Sequence, residues 1–160
     1  MMSRAQVLYL QLCVLITALT GIVFAVMKYA MKSNDEFAVV NHPLQPYMLS
    51  AHVLVAPLLV FAFGWVFTNH IWPGFASGIA RKRKSGLWSM GAIAPMVLSG
   101  YLLQVSTGNA TRQAMAIAHW ISSGLFVAAY VIHLVTKKAA RTLVGQAGRR
   151  AAEASAPYQE

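Results

Sequence analysis

Long stretches without one charged side chain decide what this chain can fold into. Residues 5–27, 37–80, 85–111 and 113–136 contain no Asp, Glu, Lys or Arg. A helix needs roughly 20 apolar residues to cross about 30 Å of hydrocarbon, and every one of these stretches is long enough. The second could hold two crossings by length, but Pro43, Pro46 and Pro73 bracket a single helix over residues 45–71. Four membrane spans are therefore the economical reading.

Composition agrees with this reading and removes the soluble classes. Of 160 residues, 58% are hydrophobic and only four are acidic, Asp35, Glu36, Glu153 and Glu160. A soluble domain carries far more charge. The net charge of +9 invites nucleic acid as a partner, but the positive residues sit where a membrane protein keeps them. Arg4 precedes the first span, Arg81, Lys82, Arg83 and Lys84 separate the second from the third, and Lys137, Lys138, Arg141, Arg149 and Arg150 follow the fourth. The other two loops hold Lys28 and Lys32 beside Asp35 and Glu36, and a lone Arg112. The positive-inside rule then predicts that both termini and the second loop are cytoplasmic, with lipid as the surrounding partner and no role for nucleic acid.

The start, Met1-Met2-Ser3-Arg4, has the charged opening of a signal peptide, yet the apolar run behind it exceeds the usual core of such a peptide. It is expected to remain as the first helix. Pro57 should bend the second helix. The third helix is expected over residues 86–105, a turn over 106–109, and the fourth helix over 111–136. Residues 1–138 form one four-helix domain in this reading, and residues 139–160 a cytoplasmic basic tail, a frayed helix passing into partial disorder. No internal repeat stands out beyond the paired histidines.

Those histidines are the chemical content of the chain. His52 and His70 lie in the second span, His119 and His133 in the fourth, and a polar, metal-ligating ring is costly in hydrocarbon unless it has work to do there. On an ideal helix His119 and His133, 14 residues apart, fall within about 40° of one face and roughly 21 Å apart. His52 and His70, 18 apart, share a face roughly 27 Å apart. The second and fourth spans run in the same direction, so His52 pairs in depth with His119 near the outer surface, and His70 with His133 near the cytoplasm. Tilt of the second helix, or a bend at Pro57, has to absorb the difference of about 6 Å between the two rises. Each level then offers two imidazoles, the ligand set of bis-histidine haem iron. The single cysteine, Cys13, excludes a thioether-linked haem, so the haems are b-type, and Cys13 itself reads as a small apolar filler.

Further residues line up with this pair of sites. Arg112, His119, Phe126 and His133 recur every seven residues along the fourth helix. That stripe places Phe126 between the haems, Arg112 near the outer propionates and, a turn past His133, Lys137 near the inner ones. The competing reading makes Arg112 and Lys137 snorkelling anchors and Phe126 ordinary core. Gly100 and Gly124 are the glycines expected beside a flat porphyrin, although close helix packing explains such glycines equally well. His42, in a loop beside two prolines, is the reserve ligand. Gln45 and Asn69, near the ends of the second helix, are candidates for contact with quinone.

At these residues the chain resembles the small bacterial four-helix transmembrane cytochromes b, relatives of the haem b subunits of membrane-bound hydrogenases and formate dehydrogenases. The resemblance rests on His42-Pro43-x-Gln45-Pro46 followed by His52, Gly64 and His70, on Ser99-Gly100-Tyr101, and on His119, Gly124 and His133. It covers residues 40–135. It implies an all-α integral membrane four-helix bundle with two non-covalent b-type haems between its second and fourth helices, His52, His70, His119 and His133 as axial ligands, and electron transfer to or from a redox partner protein, a quinone, or the other subunits of an oxidoreductase complex. The chain lacks the fifth helix of the hydrogenase subunits.

Two other functions compete with this one. A transporter or proton relay built on histidines would normally use intramembrane carboxylates, and none of the spans has one. A cofactor-free membrane anchor would have no use for four intramembrane histidines. Gly-rich phosphate loops and paired carboxylates are absent, so an electron-transfer subunit is expected rather than an independent enzyme.

Overall fold

The computed structural model describes residues 3–77 and 84–154. Every regular element among them is helical: α1 Arg4–Tyr29, α2 Gln45–Val66, a π-helical turn Phe67–Ile71, α3 Trp72–Ala76, α4 Lys84–Val105 and α5 Asn109–Ala154. Four segments are long and apolar enough to cross a membrane, Arg4–Tyr29, Gln45–Asn69, Leu87–Val105 and Asn109–Thr136. Only 17% to 28% of the most apolar part of each is buried inside the protein. Leu8, Leu54, Phe61, Leu98, Ile121 and Val135 are all exposed. A soluble protein rarely exposes so continuous an apolar surface, whereas lipid solvates it without penalty. The protein is an all-α, multi-pass membrane protein.

The chain divides into two compact units, residues 1–80 and 81–160. In the first, α1 packs on α2; in the second, α4 packs on α5. α1 starts with a reciprocal cap in which Ser3 Oγ accepts from the Gln6 N–H at 3.1 Å and Gln6 Oε1 accepts from the Ser3 N–H at 2.9 Å. Such a box satisfies two amides that the first helical turn leaves without partners. The core of unit one is Cys13 and Val14 against Leu59, Ala62 and Val66, and that of unit two is Ala92, Ile93 and Met96 against Phe126 and Ala129. Cys13 is a free, buried thiol that fills space, as its isolation in the sequence implies.

Two elements depart from the expected boundaries. The second span does not stay α-helical to Ile71: after Val66 it widens into the π turn, in which the Trp72 N–H reaches the Phe67 carbonyl. Pro73 follows and has no N–H for the carbonyl that an α-helix would present to it. Thr68 Oγ1 and Asn69 Nδ2 both donate to the Trp65 carbonyl at 3.1 Å, which supports the widened turn from its side chains. The fourth span also does not end at its membrane boundary, since α5 continues unbroken to Ala154. The stretch 139–154 is rich in Ala and Arg, both strong helix formers, so a helix already nucleated in the membrane can propagate into it.

Candidate functional site

Thr20 back-bonds within α1, its hydroxyl donating to the Ile16 carbonyl at 2.8 Å. Its oxygen lone pairs are then available to α2. His52 Nδ1 lies 3.2 Å from Thr20 Oγ1 and 3.0 Å from the Thr17 carbonyl oxygen. A carbonyl can only accept, so Nδ1 carries the ring proton and donates; neutral imidazole then keeps its in-plane lone pair on Nε2. The ring edge lies over Gly21, where a Cβ would stand 2.9 Å from Cε1 and 3.1 Å from Nδ1 of His52. No side chain fits at position 21 without moving the ring.

Unit two repeats this arrangement residue for residue. Ser99 Oγ donates to the Pro95 carbonyl at 2.6 Å. His119 Nδ1 lies 2.9 Å from the Met96 carbonyl oxygen and 3.4 Å from Ser99 Oγ. A Cβ on Gly100 would stand 3.1 Å from Cε1 and 3.3 Å from Nδ1 of His119. The partners in the first helices, Ile16 and Pro95, Thr17 and Met96, Thr20 and Ser99, Gly21 and Gly100, are each 79 residues apart. Those in the second helices, His52 and His119, Leu59 and Phe126, Ala62 and Ala129, are each 67 apart. The difference of 12 is the difference between the connections, residues 30–44 in one unit and 106–108 in the other.

The sequence reading missed this repeat. Its signals are short: Leu19-Thr20-Gly21 against Leu98-Ser99-Gly100, and Ala51-His52 against Ala118-His119. The change of offset between first and second helices hides it from a search at one fixed period. Once aligned, the buried positions agree as well, Cys13 with Ala92 and Val14 with Ile93. His70 and His133 are not partners under this alignment.

The remaining candidates fall into place by contact. Gly100 is held open by the His119 ring, so its own helix neighbour accounts for the missing side chain, whereas a Cβ on Gly124 or Gly64 would meet nothing within 4 Å. Phe126 is 3% exposed and stacks on Tyr130, with ring centroids 6.1 Å apart and planes 12° apart. Arg112 Nη1 donates to the Ser106 carbonyl at 3.2 Å and so ties the α4–α5 turn. His133 is half-buried on α5. The backbone of His70 lies in the π turn, which ends the ideal-helix extrapolation from His52 at Val66. The side chains of His70 and Lys137 lie outside the described residues.

His42 is occupied locally, its Nδ1 accepting from the Leu44 N–H at 3.1 Å. Gln45 Oε1 accepts from the Asn41 N–H at 3.3 Å, and Asn69 serves the Trp65 carbonyl. Phe61, Gly64 and Trp65 line an open apolar recess on α2, with Tyr9 of α1 edge-on to both aromatic rings.

His52 lies seven residues into α2 and His119 ten into α5, a difference of about 4.5 Å in rise. Among the described residues, no group of three or more His, Cys, Asp and Glu stands together. Fold and site thus define a class, an all-α multi-pass membrane protein with two equivalent helix-held histidines. No family model, curated protein or solved structure matches the chain.

Proposed function

We propose that this protein is a b-type cytochrome subunit that carries electrons through a bacterial cytoplasmic membrane, with His52 and His119 as the axial ligands of a non-covalent haem. The observation that supports this most is the repeated Nδ1 bond. Metal-ligating histidines almost always donate their second ring N–H to a carbonyl or carboxylate, which fixes the tautomer, orients the ring and raises the basicity of the ligating nitrogen. Both histidines here have that bond, to Thr17 and to Met96.

Haem, when bound, supplies a one-electron centre whose potential follows its ligands, burial and hydrogen bonds. The chain's own part is to hold two imidazoles with Nε2 as the ligating atom. A porphyrin would supply the rest of its iron's ligands, so two imidazoles from the chain would suffice to hold it, whereas a zinc site takes three or four protein ligands.

His70 and His133 are proposed for a second haem on their spacing, and a redox protein or the quinone pool as the electron partner on the likeness of residues 40–135 to small bacterial cytochromes b. Both termini are proposed to be cytoplasmic, a reading supported by the basic residues at Arg4, at Arg81 to Lys84 and after Thr136.

Axial variants of the full chain, purified in detergent from haem-replete cells, test the ligand assignment. His52→Ala and His119→Ala should each abolish the six-coordinate low-spin spectrum of that haem. His42→Ala should leave it intact. A wild-type spectrum in either axial variant would refute the assignment.

A further inference from the structure

Thr20 and Ser99 do more than pack. Each hydroxyl commits its proton to the carbonyl four residues back, Ile16 or Pro95. Each therefore turns an acceptor toward the imidazole that already donates to the carbonyl one turn away, at Thr17 or Met96. The next residue is glycine in both units, and a Cβ there would stand 2.9 or 3.1 Å from the ring. Ser99 is among the most buried polar residues, at 4% exposed. A small apolar residue would fill its place equally well if only volume mattered, and would forfeit the second acceptor.

We propose that Thr20-Gly21 and Ser99-Gly100 are positioning residues that hold Nδ1–H of His52 and His119 between two acceptors, so that Nε2 is the ligating atom and carries extra negative character. The redox consequence rests on the haem reading above, while the ring geometry does not. Two acceptors on one N–H push the imidazole toward imidazolate, and such a ligand favours the ferric over the ferrous ion. Removing the hydroxyl weakens that push, so the reduction potential should rise. The glycine keeps the ring edge against the helix, where both acceptors reach it.

The experiment uses the full chain and two readouts. Nitrogen-15 NMR of histidine-labelled apoprotein in detergent should show His52 and His119 protonated at Nδ1. Thr20→Val should perturb the His52 signals alone, and Ser99→Ala those of His119 alone. In the haem-loaded protein both variants should shift the midpoint potential upward, while Thr20→Ser and Ser99→Thr should restore the wild-type value. Protonation at Nε2 in the wild type would overturn the proposal, and so would ring signals and potential that ignore both substitutions. Nδ1 tautomers in a protein that never binds haem would support the positioning role and refute the cytochrome reading. Bound haem with silent hydroxyl variants would do the reverse.

Discussion

The two helical hairpins hold a histidine in the same way although they are closed by very different connections. Residues 30–44 join α1 to α2, and residues 106–108 join α4 to α5. The long connection has its own ties, with Asn41 Nδ2 donating to the Lys28 carbonyl at 2.7 Å and His42 Nδ1 accepting from Leu44. The short one is tied by Arg112 to Ser106. The ring contacts seen among the described residues come from Thr17, Thr20 and Gly21 of α1, or Met96, Ser99 and Gly100 of α4, all within the helices. The same hold on the imidazole is thus built by the helix pair under two very different connections.

The hairpins differ in how tightly they grip. The contact over Gly21 is closer than that over Gly100, 2.9 against 3.1 Å to the hypothetical Cβ. Unit one also buries Thr17 Oγ1 without a hydrogen-bond partner, where unit two has Met96. Beyond the histidine, α5 continues as a regular helix through His133, whereas α2 gives way to the π turn that contains His70. π turns are often found at functional sites.

Substitutions at aligned positions can sharpen or break this comparison. The largest expected effect is truncation of the core. Leu59→Ala and Phe126→Ala, 4% and 3% exposed in the native protein, should each destabilise by about 1–3 kcal/mol, below the usual soluble range because lipid tails replace the transfer term. Thermal unfolding in detergent by circular dichroism measures this, and a large loss at one position with none at the other would break the equivalence of the hairpins.

Next in size is Gly21→Ala, where the crowding of His52 costs about 1–3 kcal/mol and the gain in helix propensity offsets up to about 1. Gly100→Ala meets its ring at 3.1 Å rather than 2.9 Å, so the two terms should nearly cancel. The same melts rank them, and Gly100→Ala proving the worse would reverse the assignment of the tighter grip. Smallest is Gly124→Ala, which enters open space and should stabilise by up to about 1 kcal/mol. A Gly124→Ala protein that loses haem would instead place that glycine against the porphyrin.

Much of the fold was readable from residues alone because lipid leaves few choices. Charge-free windows of sufficient length must be helices, and the prolines at 43 and 46 mark the start of the second, whereas Pro73 falls inside the short helix α3. The ends were less legible. The π turn at Phe67 depends on side chains of Thr68 and Asn69 that serve one carbonyl, and hydropathy carries no trace of that. The tail was expected as a frayed helix, and it continues α5 regularly to Ala154 because a helix already formed propagates more easily than one that must nucleate.

At the site, the histidines were visible by type and span. What positions them was not, since Thr20, Gly21 and Ser99 look like ordinary small residues of a membrane helix until a partner ring lies over them. Gly100 stood out in the sequence as a porphyrin neighbour or a close-packing position, and it lies under the His119 ring. Arg112, expected near a propionate or as an interfacial anchor, donates to the Ser106 carbonyl.

The central claim is that these histidines exist to bind haem, and the pyridine haemochrome assay of the purified wild-type chain tests it most directly. The account predicts a coloured protein whose haem is entirely extracted by acid acetone, with about two haems per chain from two bis-histidine sites. One haem per chain would retire His70 and His133 and leave His52 and His119. A colourless protein from haem-replete cells would contradict the account and leave the two histidines as fasteners of their hairpins.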